Sequence, residues 1–395
     1  MAATTKYRIE SIDIVRGLVM LIMAIDHTRD IFHGAPEPTD LAVTYPFLFF
    51  TRWLTHFCAP TFVFLSGVSA NIAGTRRTPN QLSSFLLKRG IWLIAVELIF
   101  ISFGITLNPI FSVLILQVIW AIGGSMILLG LLVRLRASVM VIGIIGAIIF
   151  FGHNILDIVN VGAISKTVPW ALFLSAGGFS NGIISLGNQH FVLIAYALLP
   201  WTGVMLLGYA FGILYRSTYD ATKRRKTLLY SGLGLLTLFV VFRCFNVYGD
   251  PSPWSVQKTT ALSIISFFNV TKYPCSLLYL GMTLGTSLTL LSVLEGVKNK
   301  VTAILIVYGN VPFFYYLCHW YLLQTIHIIL FFAMGFKTSQ ILPTGAPFLF
   351  EPPGFGLSLA GVYGVWFVAI FILYFPCRWF AQYKKTHTQW WLSYL

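Results

Sequence analysis

The stretch Ser11–Asp30, SIDIVRGLVMLIMAIDHTRD, decides how the rest of the chain is read. Its centre, Gly17 to Ile25, is uncharged and apolar enough to enter a bilayer. Its ends are not. Arg16 precedes the apolar run, and Asp26, His27, Arg29 and Asp30 crowd the five residues after it. A charge near the middle of a membrane span costs roughly 2.5–3.5 kcal/mol on insertion scales, so each one calls for a partner or a task. Arg16 and His27 are eleven positions apart, about three helical turns or about 16 Å along one face.

The composition supports reading this stretch as a membrane helix. Of the 395 residues 57% are hydrophobic and 10% charged, with a mean hydropathy of +0.81. Soluble domains carry about 25% charged residues. Apolar segments long enough to span recur along the whole chain. Ten spans are expected, near 14–32, 47–70, 91–107, 110–133, 138–157, 190–214, 228–246, 273–293, 311–334 and 357–376. The fold class expected is therefore an all-α polytopic membrane protein, with residues 1–395 forming one transmembrane domain.

The net charge of +14 follows the same topology. Nineteen of the 26 basic residues, among them Lys6, Arg8, Arg16, Arg76, Arg77, Lys88, Arg89, Lys384 and Lys385, fall in segments on one side of these spans. Seven others, including Arg29, Arg52, Lys166 and Lys272, lie on the far side or within spans. The positive-inside rule then places both termini in the cytoplasm. The basic charge needs no nucleic-acid partner; membrane lipid is the surrounding medium, and the sequence is compatible with a homo-oligomer. Asp13 and Arg16 interrupt any signal-peptide core, so a cleavable leader is not expected. The five scattered cysteines show neither zinc nor redox spacing. Phosphate-loop, HExxH and nucleophile-elbow patterns are missing.

Candidate chemistry concentrates in the first two spans. Asp30, three residues after His27, is placed to hold its ring, and Asp26 to reach Arg29 or Asp30. A carboxylate on one imidazole nitrogen leaves the other free as a base near neutral pH. The plain alternative is an interfacial ion-pair cluster with His27 a bystander. In the second span Arg52 and His56 precede Pro60, which frees the carbonyl of His56 one turn earlier. An antiparallel second helix would set His56 beside His27. His33 follows just past the first helix. Glu97 in the third span and Gln117 in the fourth are each expected to serve in a structural hydrogen-bond network and not in catalysis. His319 and His327 share a face eight residues apart, but no carboxylate or thiolate completes a metal site, and none is expected. Outer segments 158–189, 247–272 and 335–356 are rich in Gly, Pro and aromatics, a composition suited to folding back over a cleft.

Several stretches resemble the transmembrane acyltransferases, closest to bacterial membrane proteins related to lysosomal heparan-alpha-glucosaminide N-acetyltransferase. They are S-x-D-x-x-R-G with R-x10-H, AIDHTRDIFH, THFCAPTFVFLSGVSA, YALLPWTGVMLLGYAFG, NVTKYPCSLLYLGMTLG, YGNVPFFYYLCHWYL and the terminal WWLSYL. The resemblance implies transfer of an acetyl group from cytoplasmic acetyl-CoA to an amino sugar or sugar hydroxyl across a membrane, here the bacterial inner membrane. It also implies that Arg16 helps hold the CoA end, where Arg76, Arg77, Lys88 and Arg89 suit phosphate pairing, and that His27 is the base or acetyl-accepting residue. There is one departure: the lysosomal pattern has Asn at the position of His27 and its catalytic histidine later. The candidates therefore rank His27, His56, His33, with Asp26 and Asp30 as supporting carboxylates. The rival from another class is a proton-coupled secondary transporter using buried His, Asp and Glu.

Overall fold

In a computed structural model, Ser11–Asp30 lies wholly inside the first helix, α1 (Glu10–Phe32). The structure describes residues 9–34, 37–158, 167–174, 182–344, 346 and 348–393; Lys6, Arg8 and Lys166 lie outside the described residues. The elements that follow are α2 (Pro46–Thr55), α3 (Cys58–Gly74), α4 (Pro79–Val96), a π-helical turn (Glu97–Ile101), α5 (Ser102–Thr106), β1 (Val113–Leu116), α6 (Val118–Arg134) and α7 (Val139–Gly152). Then come α8 (Val168–Phe173), β2 (Ile183–Gly187), β3 (His190–Ile194), α9 (Leu198–Phe211), α10 (Ala221–Phe245) and α11 (Thr260–Phe268). The last are α12 (Leu277–Val293), α13 (Lys300–Gly309), α14 (Pro312–Ala333) and α15 (Leu359–Thr386).

Local chemistry sets many boundaries. Thr78 and Gln81 form a reciprocal cap on α4, with Pro79 in the first turn. Asp220 caps α10 through the Lys223 amide. Pro60 has no amide hydrogen to give the His56 carbonyl, and the chain breaks into α2 and α3 at that point. The Tyr279 hydroxyl donates to the freed carbonyl at 2.9 Å.

Every expected span contains helix, but the count by length and composition is lower. Among the described residues six helical stretches are long and apolar enough to cross a membrane: 46–74, 139–157, 198–215, 221–245, 312–333 and 359–386. The 23-residue α1 is excluded by its own charges, while α6, α12 and α13 are apolar but shorter. Nor is the fold purely helical. The segments expected to open the fourth and sixth spans are strands: β1 pairs in parallel with β3, from Val113–Phe191 to Leu116–Ile194, and β2 joins β3 antiparallel. Runs such as VLIL and HFVLI are too short for periodicity to separate strand from helix.

Small residues bring helices into backbone contact, as membrane packing favours. A Cβ on Gly17 would lie 1.9 Å from the Leu305 carbonyl oxygen, and one on Gly309 1.9 Å from that of Asp13, so α1 and α13 cross almost touching. Gly67 and Gly208 do the same for α3 and α9. One continuous apolar core runs from α1 to α15. Within it α14 lies alongside α1 in the same direction, with His27 against His319 and Phe32 against His327. The antiparallel α3 brings Ser69 to Arg16 at 3.3 Å. The ends bearing Arg16, Arg89 and Lys384 thus gather on one side, and those bearing Asp30, Lys272 and Glu351 on the other.

Candidate active site

The last turns of α1 are organised by Asp26. Its Oδ2 accepts a hydrogen bond from Arg52 of α2, its Oδ1 lies 3.0 Å from Arg29, and Lys272 approaches Oδ2 at 3.9 Å. Asp26 is buried with both arginines, an arrangement that persists only because the charges are paired. Asp30 does not hold the His27 ring, as its three-residue spacing suggested. It pairs with Arg29 instead, its side chain 53% exposed.

The partner of His27 is another histidine. His27 Nδ1 lies 2.6 Å from His319 Nε2 across α1 and α14. His319 Nδ1 in turn reaches the carbonyl of Tyr316, one turn back in its own helix. A carbonyl only accepts, so His319 Nδ1 carries the proton and its Nε2 offers a lone pair. His27 must then donate from Nδ1, which leaves its Nε2 as the free lone pair. The Trp320 ring stacks on His27 at 4.1 Å and Tyr316 meets it edge-on at 6.2 Å, fixing the imidazole plane.

His56 does not stand beside His27. Its ring packs on Tyr279 at 5.3 Å, and its buried Nδ1 has no hydrogen-bond partner. The helix break at Pro60 and the Arg52–Asp26 pair set its position. His33 continues the chain past α1, where its backbone bridges to Leu357. Burial, and then the charge of Arg29, hold the His33 imidazole below its usual value. Glu97 Oε1 accepts from the backbone N–H of Gln117 at 2.7 Å, at the head of α6.

Two cavities approach this histidine pair from opposite ends. The first, about 320 Å³, is lined by Arg16, Arg89 and Lys384, by Met20, Met23, Phe62 and Leu93, and by Tyr316. The second, about 680 Å³, is lined by His56, Arg29, Asp30, Arg52, Lys272, Trp320 and Glu351, with Asn269 and Phe348 above them. Residues of two of the outer segments thus line it, Ser252 and Asn269 to Lys272 from one and Phe348 and Glu351 from the other; much of 158–189 lies outside the described residues. Tyr316 faces the first cavity and Trp320, one turn on, faces the second. Both contact His27, so the His27–His319 pair sits in the wall between the cavities.

Of the basic residues singled out for phosphate, Arg16 and Arg89 line the first cavity, and Arg76, Arg77 and Lys88 do not. Arg77 lies over the Phe85 ring at 4.5 Å and bonds the Ala73 carbonyl. Arg16 is fixed at 3.3 Å by Asp13, Ser69 and the Gly309 carbonyl. Lys384 is a basic lining residue that the sequence reading did not single out for this role. His319, Trp320, Lys272 and Glu351 were likewise missed as site residues; the HW pair inside an apolar helix and a lysine beside a span were the available signals. Burial, and the nearby Asp30 charge, push the Glu351 carboxyl up to about 7. No group of three or more His, Cys, Asp or Glu among the described residues is arranged to hold a metal.

Fold and site together define a helical membrane protein with two cavities on either side of a histidine pair, His319 buried and His27 partly exposed. The chain belongs to the heparan-alpha-glucosaminide N-acetyltransferase catalytic family, whose model matches residues 8–241. That match supports an acetyltransferase-like membrane protein and gives the transporter reading no support. It covers α1 to most of α10, whereas His319, Lys272 and Glu351 lie beyond it. No curated protein matches the chain closely enough to count as a relative.

Proposed function

We propose that this protein transfers an acetyl group from acetyl-CoA in the first cavity to an amino-sugar or sugar-hydroxyl acceptor in the second. In this reading it has about ten spans, both termini are cytoplasmic, and it works in a bacterial inner membrane with the acceptor outside. The observation that carries the reading is His27, with one nitrogen fixed by His319 and the other free, in the wall between two cavities. The first cavity suits acetyl-CoA. Arg16, Arg89 and Lys384 match phosphate groups, and the apolar lining beneath matches a long thioester arm.

Acetyl-CoA supplies the acetyl group as a thioester. His27 Nε2 takes the proton of the acceptor amine or hydroxyl while the new C–N or C–O bond forms and the C–S bond breaks. It then returns that proton to the departing sulfur. His319 is a positioning residue: its Nε2 accepts from His27 Nδ1–H and so keeps the proton off His27 Nε2. Trp320 holds the ring plane. His56 lines the acceptor side, and His33 lines neither cavity.

The test is acetyl transfer from radiolabelled acetyl-CoA to glucosamine by the purified protein, with His27→Ala alongside. A base of this kind contributes about 10²–10⁴-fold, and that loss is expected. Absence of acetyl-CoA binding and transfer overturns the enzyme reading; full activity in His27→Ala moves the chemistry to another residue.

A further inference from the structure

A base at His27 answers only one of the charges that acetyl transfer creates. As the acceptor bonds to the thioester carbonyl carbon, the carbonyl π electrons move onto oxygen, and that oxyanion calls for a hydrogen-bond donor. The histidine pair does not supply it. His27 Nδ1 is engaged by His319, and His27 Nε2 is the base.

The wall between the cavities holds a donor of the right kind. Tyr316 is 3% exposed, lines the first cavity and meets the His27 ring edge-on at 6.2 Å. Its hydroxyl has no hydrogen-bond partner. The buried hydroxyls of Ser11, Thr44, Ser83, Tyr215 and Tyr315 also lack one, but none of these residues lines either cavity. The neighbours of Tyr316 leave its proton unclaimed. The Trp320 indole N–H faces the hydroxyl from the next turn of α14, without the geometry of a full hydrogen bond, and an indole only donates. Glu97, on the π-helical turn, directs Oε1 to the backbone N–H of Gln117 at 2.7 Å and forms no hydrogen bond to Tyr316. A buried hydroxyl without an acceptor is unfavourable unless a ligand completes it. Met20, Met23, Phe62 and Leu93, which line the same cavity, offer a carbonyl oxygen no donor.

We propose that Tyr316 is a further catalytic residue: its O–H donates to the thioester carbonyl oxygen of the bound acetyl donor and holds the oxyanion of the tetrahedral intermediate. The assignment rests on the acetyl-transfer reading. No proton changes hands at this contact. The oxygen gains the π pair when the acceptor adds and returns it when the C–S bond breaks, while the acceptor proton passes through His27 to the departing sulfur. Trp320 is a positioning residue here, because an N–H turned toward the phenol oxygen favours Tyr316 as donor over Tyr316 as acceptor. The edge-on contact of Tyr316 with His27 sets donor and base beside one acyl group.

The experiment uses the purified full chain in detergent, unaltered and as Tyr316→Phe, which keeps the ring against His27 and removes only the hydroxyl. In steady-state transfer from acetyl-CoA to glucosamine, kcat of Tyr316→Phe is expected to fall about 10²–10³-fold, with KM for both substrates essentially unchanged. An unchanged kcat, or a loss carried by KM alone, overturns the assignment. Isotope-edited infrared spectra of acetyl-CoA carrying a heavy-carbon label at the thioester carbonyl, bound without acceptor, read the contact itself. The carbonyl stretch is expected at lower frequency on the unaltered protein than in solution, and this displacement is expected to vanish in Tyr316→Phe. An undisplaced band on the unaltered protein overturns the proposal even where Tyr316→Phe does not fold. Acetyl-CoA that binds and transfers with no dependence on Tyr316 removes this assignment and leaves the acetyl-transfer reading standing; acetyl-CoA that does not bind removes both.

Discussion

Replacing His319 tests whether the histidine pair works as a unit. His319 lines neither cavity, so substituting it leaves the surfaces offered to both substrates intact. What is lost is the 2.6 Å bond to His27 Nδ1. An unmet buried donor costs about 1–3 kcal/mol. If that cost is felt in the transition state, at about 1.4 kcal/mol per tenfold, kcat in His319→Ala falls roughly 5- to 150-fold. KM for either substrate should barely move. The loss is smaller than for His27→Ala, because the base remains and only its tautomer and orientation are freed. Gln and Asn separate the two nitrogens of the missing ring. Gln extends far enough to accept from His27 Nδ1–H, whereas Asn reproduces only the bond to the Tyr316 carbonyl. His319→Gln should therefore recover most of kcat and His319→Asn little of it. Steady-state acetyl transfer at saturating acetyl-CoA, on variants whose melting in detergent matches the unaltered protein, reads this directly. A His319→Ala variant with unchanged kcat, or equal rates for Gln and Asn, would refute the relay.

Two more outcomes bear on the charges around the site. Arg52→Met removes the closest partner of buried Asp26 but leaves Arg29 and Lys272 beside it, so the cost should stay below the about 3–5 kcal/mol of a fully unpaired buried charge; Asp26→Asn with Arg52→Met should recover much of that loss, measured as the detergent melting temperature. A double variant no more stable than Arg52→Met alone would show that the pair is not what holds α2 to α1. Glu351, raised from 4.5 to about 7 by burial and by Asp30, is protonated in the folded protein where the unfolded chain is ionised. Its contribution to stability is complete below about pH 4.5 and is lost as pH rises through about 7. Melting temperature should therefore fall between pH 5 and pH 8 with a slope that Glu351→Gln flattens, and an identical slope in the variant would count against this assignment.

How much of the site the sequence displays depends on how far apart its parts lie. The Arg16–His27 spacing lies within one helix, where 3.6-residue geometry fixes the face. The two residues do mark its two ends: Arg16 at the first cavity, His27 in the wall. Pro60 has a local consequence as well, the open His56 carbonyl that Tyr279 fills. Asp30 illustrates the opposite case. Three residues from His27, it has the reach, but Arg29 lies next to it and takes its carboxylate. Arg76, Arg77 and Lys88 share the basic end without lining the cavity, because charge in a loop reports sidedness and not direction.

The sequence by itself determined most of the helices, the membrane class and the family, since apolar runs, caps and charge counts are local properties of the chain, but not the strands that open the fourth and sixth expected spans. Tertiary structure decided which of the charged residues meet. His319 lies 292 residues from His27, Lys272 reaches Asp26 from the segment before α12, the first cavity exists only where α1, α3, α4, α6, α14 and α15 pack, and the second only where α1, α2 and α14 meet β1, β3 and the loops before α12 and α15. Periodicity shows that a helix has a buried face; it does not show what that face is buried against. At Ser11–Asp30 the neighbour supplied by α14 makes His27 part of an oriented histidine pair.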